Sequence, residues 1–172
     1  QLASVYASQI FDNLNECNDK DCRLQLNNLD RLARLLEKTG KYLEAEAIHI
    51  DAFKLRDRAY GLWSEETARG FRNLASYYED TRQWQKAEEA YSCAHAIFKD
   101  VLGENHLEVA KTLSDSAALY SSRYDWERAE ANYKLALKAL EEYLTTDAIQ
   151  IAAVRCLLAH VYIGMEKVEQ AQ

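Results

Sequence analysis

Apolar residues recur along the chain at spacings of three, four and seven, the signature of helical faces. The set Leu29, Leu32, Ala33, Leu36 reappears as Phe71, Leu74, Ala75, Tyr78 and again as Leu113, Ser116, Ala117, Tyr120. Leu158, Ala159 and Tyr162 make a fourth copy, with Arg155 off the pattern at its head. Corresponding residues stand 42 apart. A second set follows each of the first three: Tyr42, Ala45, His49, Ala52; Trp84, Ala87, Tyr91, Ala94; Trp126, Ala129, Tyr133, Ala136. Val168 and Ala171 begin a fourth. Each unit therefore predicts two helices. The first kind runs over 22–39, 64–81, 106–122 and 147–164, the second over 42–59, 84–102 and 126–144.

A small residue fixed at one helical position lets a second helix approach closely. Ala33, Ala75, Ala117 and Ala159 do this on the first helices, and Ala45, Ala87 and Ala129 on the second. The links between paired helices are three residues long, Thr39–Lys41, Thr81–Gln83 and Arg123–Asp125, so the pairs are antiparallel neighbours. The units divide as 22–63, 64–105, 106–146 and a shortened 147–172. Residues 1–15 read as the second helix of a preceding unit or as an N-terminal cap, and polar Asn15–Asp21 reads as a loop. The chain stops inside a helical pattern at Gln172, which leaves Leu157, Leu158, Val161 and Tyr162 partly exposed and open to self-association.

Composition narrows the fold class. Among 172 residues there is no proline, where average usage of about 5% would supply roughly eight, and only five glycines. An all-β fold lacks its turn residues, and no glycine-rich phosphate loop is present. An all-α solenoid of helix pairs remains. A HEAT or armadillo solenoid shares the period but not the alanine and aromatic ladder. The net charge of −7 argues against a dedicated nucleic-acid binder. Cys17, Cys22, Cys93 and Cys156 do not have zinc-ligand spacing; they read as buried or incidental thiols in a reducing compartment, hence a cytoplasmic protein, the alternative being a local disulfide between Cys17 and Cys22. No uninterrupted apolar run approaches a membrane span, and no signal peptide is visible. The chain opens at Gln1 and its one methionine is Met165, so it reads as a piece of a longer protein.

No catalytic constellation emerges, and the chain is expected to be neither an enzyme nor a holder of metal or cofactor. His49 occupies an aromatic slot of its unit, so packing explains it. His106 sits in a linker, where capping explains it. Glu65-Glu66, Glu88-Glu89 and Glu141-Glu142 fit solvated helix faces. Trp84 and Trp126 recur with the period and read as repeat core.

The ladder W-x2-L-G-x2-Y, A-x3-F, A resembles the tetratricopeptide repeat, here with eight residues more than the usual 34. It most resembles the 42-residue repeat of kinesin light chains. Their linker is matched by Leu102-Gly103-Glu104-Asn105-His106-Leu107-Glu108-Val109-Ala110 and, more weakly, by Tyr60–Ala68. The resemblance covers residues 22–172 and implies a right-handed superhelix whose first helices line a concave groove. It places groove positions at Asn27, Asp30, Arg31, Arg34 and Lys38, at Arg69, Arg72, Asn73, Ser76 and Asp80, and at Lys111, Ser114, Asp115, Ala118 and Ser122. Helical geometry independently puts 27, 31, 34 and 38 on one stripe away from Leu29, Leu32 and Leu36. Arg31, Arg34, Lys38, Arg69, Arg72 and Lys111 make that stripe net basic on an acidic chain. The plain alternative is ordinary helix charge, some of it paired with acids such as Asp30 or Glu37.

The carboxylate clamp of some family grooves is matched here only by Asn73 and Lys111, not by Asp30, Arg34 and Asp115. Arg72-Asn73-Leu74-Ala75 looks instead like the N-N-L-A segment of kinesin light chains, whose groove holds an extended acidic peptide around an apolar anchor. The resemblance thus implies a non-catalytic protein-interaction scaffold with an acidic peptide or protein partner, bound by Arg31, Arg34, Lys38, Arg69, Arg72, Asn73 and Lys111. Two other functions fit such repeats. One is an RNA-associated scaffold, since similar repeats occur in a clustered-mitochondria family linked to RNA. The other is a sensor domain of a larger signalling protein.

Overall fold

A computed structural model describes residues 19–143 and 148–171. It contains α1 (Asp19–Lys38), α2 (Tyr42–Tyr60), α3 (Glu65–Asp80), α4 (Trp84–Leu102), α5 (Leu107–Ser122), α6 (Trp126–Tyr143) and α7 (Ala148–Ala171), with no strand among the described residues. The chain divides into two compact units, residues 1–90 and 91–172. In the first, α2 packs on both α1 and α3. In the second, α6 packs on both α5 and α7. The expected helix at 1–15 and the first part of the expected loop after it lie outside the described residues.

The alanine ladder is the contact surface. Ala33, Ala45, Ala75, Ala87, Ala94, Ala117, Ala129 and Ala136 are all fully buried. Leu26, Leu29, Ile48, Leu55 and Tyr77 fill the space around Ala33, Ala45 and Ala52 in the first unit. Tyr91 and Tyr133 are buried at the aromatic slot, as is His49.

The links between paired helices share one backbone design. The N–H groups of Lys41, Gln83 and Asp125 donate to the carbonyls of Leu36, Tyr78 and Tyr120, and those of Gly40, Arg82 and Tyr124 to Glu37, Glu79 and Ser121. This double closure satisfies the last free carbonyls of a helix through one left-handed residue. Gly40, Arg82 and Tyr124 occupy that place, with φ of 75°, 58° and 62°. Lys41, Gln83 and Asp125 then accept the first amides of the next helix, from Ala45, Ala87 and Ala129. The linkers before α3 and α5 end on side-chain caps. Ser64 Oγ accepts from the Thr67 amide and His106 Nδ1 from the Glu108 amide, each at 3.2 Å. The capping role expected of His106 is what the structure shows.

Several expectations need correction. Helix α1 begins at Asp19, within the stretch that polarity assigns to a loop. Tyr42 is 46% exposed, and Trp84 and Trp126 are only half-buried, because each opens its helix at the rim rather than the middle. Helix α7 runs through to Ala171 instead of turning near residue 165. Among the described residues no second helix packs there to favour a turn, and Met165-Glu166-Lys167 are good helix formers. Leu158 and Val161 are buried, since with Val154 they form the stripe that faces α6; Leu157 and Tyr162 remain exposed. Ala159 is exposed, unlike its counterparts, because no helix covers that face of α7 among the described residues. Residues Ile149–Glu166 reach a mean hydropathy of 1.3 with 17% of the window buried, so by length and composition one helix is apolar enough to cross a membrane. Isolated polar residues such as Arg155 hide this from a search for unbroken apolar runs.

The first unit also breaks the repeat in its core. Arg56 stands where the later units have Phe98 and Leu140, and its side chain is 3% exposed. It donates from Nη2 to Asp30 Oδ2 at 2.5 Å, and Asp30 is itself buried. Gly70 of α3 makes room: a Cβ there would lie 3.0 Å from Arg56 Cδ.

Three stability outcomes follow, each read by chemical denaturation. Arg82→Gly removes left-handed strain at a turn built for glycine and raises stability by about 0.5–1 kcal/mol. Ala129→Leu overpacks α6 against its neighbours and costs about 1–3 kcal/mol. Arg56→Ala strands the Asp30 carboxylate and costs about 3–5 kcal/mol, whereas the pair Asp30→Ser with Arg56→Leu, copying Ser114 and Leu140, recovers most of that loss.

Candidate functional site

Because α2 occupies the inner faces of α1 and α3, the polar faces of those two helices are left side by side. Two adjoining clefts lie there, both within the first unit. The smaller, of about 340 Å³, is lined by Asn27, Asp30, Arg31 and Arg34 from α1 and by Arg69 and Arg72 from α3. The larger, of about 660 Å³, is lined by Arg34, Glu37 and Lys38 from α1 and by Asn73, Ser76 and Asp80 from α3. Arg34 and Asn73 line both clefts. Arg34 Nη2 donates to Asn73 Oδ1 at 3.2 Å across the groove.

The state of each charge decides what it can do. Asp30 is paired through Oδ2 with Arg56, its Oδ1 having no hydrogen-bond partner among the described residues, and the smaller cleft keeps four guanidinium groups against this one, already paired, carboxylate. Arg69 pairs with Glu65, one turn away on α3, at 2.7 Å. That pair is partly exposed and contributes little to stability. Neither Arg31 nor Lys38 makes an ion pair among the described residues. Asn73 is 8% exposed, and its Nδ2 is buried with no hydrogen-bond partner among the described residues. A buried amide N–H left unpaired carries a free-energy cost that a ligand carbonyl would remove.

The floor of the larger cleft is rigid and polar. His49 Nε2 donates to Glu37 Oε1 at 2.6 Å, and the imidazole packs against Tyr77 with ring centroids 5.5 Å apart. Tyr77 donates to the Tyr42 carbonyl at 3.0 Å. Burial, with the carboxylates of Glu46 and Glu37 nearby, pushes the Tyr77 phenol up to about 12. It stays neutral and hydrogen-bonded at any physiological pH. At the cleft's far end, partial burial and the Glu37 carboxylate raise the Asp80 carboxyl above its ordinary value.

The structure thus brings Arg31, Arg34, Arg69, Arg72 and Asn73 together and sets Lys38 at the adjoining cleft. Lys111 lies on α5 in the second unit, where it pairs with Glu108 at 2.9 Å. The Asp30–Arg56 pair is the feature that reading the groove positions alone misses. Its signal is an arginine in a column otherwise filled by Phe98 and Leu140. The Arg69 and Lys111 pairs were also legible, as acid-to-base spacings of four and three.

Among described residues, no group of three or more His, Cys, Asp or Glu side chains could hold a metal ion. No curated protein is significantly similar in sequence to this chain. In structure it is similar to BtubC (BKLC) from P. vanneervenii, with a TM-score of 0.76 and 25% identity, covering 98% of this chain and 66% of that one. It is also similar to nearly identical TPR-like repeats attributed to a kinesin light chain of Podosopora anserina. A variant of those repeats gives a TM-score of 0.73 at 19% identity, covering 90% of this chain and 72% of the other. A second structure of those repeats gives 0.72 at 19%, covering 86% and 70%. The sequence profile of the tetratricopeptide repeat matches residues 23–100 and 66–142. With that profile over most of its length and the helix-pair architecture of these structures, the chain belongs to the tetratricopeptide repeat family.

Proposed function

We propose that this protein-interaction scaffold acts without catalysis and holds, in the groove between α1 and α3, an extended segment of a partner bearing Asp or Glu. The observation that carries the reading is Asn73. Its amide N–H is buried and unpaired at a point flanked by Arg31, Arg34, Arg69 and Arg72. An asparagine amide suits a peptide backbone, and guanidinium forks suit carboxylates. Arg34, exposed and held only by a 3.2 Å bond to a neutral partner, is available to an incoming anion. The larger cleft leaves room for an apolar anchor over Tyr42. We place this scaffold in the cytoplasm, where exposed thiols such as Cys93 and Cys156 stay reduced.

Exposed charge contacts are individually modest, so affinity should be weak to moderate and should fall with added salt. The test is a labelled acidic peptide titrated by fluorescence anisotropy. Arg34→Glu combined with Arg72→Glu should abolish its binding while the circular dichroism spectrum keeps its full helical signal. Unchanged affinity in that double variant would remove the groove from consideration.

A further inference from the structure

The groove is not uniform along its length. At its end near Arg31 and Arg72 it presents guanidinium groups, and the one carboxylate there, Asp30, is neutralised by Arg56. Toward the C-terminal ends of α1 and α3 two carboxylates enter, Asp80 and Glu37, the latter already bonded through Oε1 to His49. Lys38 and Asp80 are the last residues of their helices, where the carbonyl ends add negative potential. Lys38 shares the larger cleft but makes no ion pair with either carboxylate. Asp80 has no cationic partner among the described residues, and partial burial together with the neighbouring Glu37 carboxylate disfavours its ionised form. Asn73, nine-tenths buried with Nδ2 unsatisfied, lies where the two clefts meet.

We propose that the groove selects a bipolar segment, with an acidic residue among the arginines and a lysine or arginine of the same segment against Asp80 and Glu37. The inference rests on the preceding reading that the groove holds an extended peptide, and adds the pattern of charge that the peptide carries. The spacing follows from helix geometry. Arg31 to Lys38 is a rise of about 10 Å and Arg72 to Asp80 about 12 Å, at roughly 1.5 Å per residue. An extended chain covers that distance in about three to four residues at roughly 3.3 Å each. The ligand's two charges therefore stand three or four positions apart. Since one end of the groove is rich in guanidinium groups and the other adds carboxylates, the ends also fix the direction in which the segment lies.

The experiment uses labelled peptides in an alanine-serine host, titrated against the whole chain at low salt by anisotropy. One carries glutamate alone. The others add lysine three or four positions after it, or three or four positions before it. One of the two orders should bind about twofold to fivefold tighter than the glutamate-only peptide, the range of a partly exposed ion pair. Asp80→Asn, a change at an exposed helix end, should erase that gain, so that the lysine-bearing and glutamate-only peptides bind the variant alike. The inference is overturned if neither order gains over glutamate alone, or if the gain survives Asp80→Asn. If the glutamate-only peptide itself does not bind, the acidic-segment reading fails first and this one falls with it.

Discussion

Everything in this chain depends on how closely two helices approach at alanine. Packed helix axes lie about 8 to 10 Å apart, and small facing side chains set the near end of that range. Ala33, Ala45, Ala75, Ala117 and Ala129 hold those places and expose no surface. Burying a methyl group contributes little by itself. The gain lies in the larger residues that the approach brings together, such as Leu29, Ile48 and Leu55 in the first unit and Leu119, Tyr133 and Leu140 in the second. Many dispersion contacts of small individual strength accumulate there.

The same constraint creates the groove. Helix α2 packs on both α1 and α3, and the polar faces of those two helices line the clefts together. Those faces are free of packing duty and can hold charge. The exception is Asp30, which helical geometry places on the polar side but which the Arg56 guanidinium draws into the interior. A buried ion pair is weak evidence for stability, because desolvation offsets most of the attraction. Its effect here is on electrostatics: it removes the one acidic group from an arginine-lined cleft.

Much of the fold is legible in the sequence because the structure is periodic. A residue that recurs every 42 positions as Ala, or as Tyr and Trp, announces its environment three times over. What escapes this reading is whatever happens once. Arg56 replaces an apolar residue in a single unit and needs a partner 26 positions away. Helix α7 continues past its expected turn because turns between helices are stabilised by packing that a local pattern does not contain. In the site, the residue types along α1 and α3 can be read from the period. Which charges are already engaged cannot, since Arg34 meets Asn73 across 39 residues of chain.

The turn at Gly40, Arg82 and Tyr124 has a consequence for how such a chain can change. Three unlike residues adopt one left-handed conformation because two backbone hydrogen bonds, not the side chain, close the turn. The penalty for a non-glycine residue there is about 1–2 kcal/mol, small against the packing of the helix pair that follows. Substitution at the joint is therefore tolerated while the joint keeps its angle. A scaffold whose corners are held by main chain and whose contacts are held by alanine leaves most other positions free to drift. That freedom accounts for a shape matched at a TM-score of 0.76 when three quarters of the aligned residues differ.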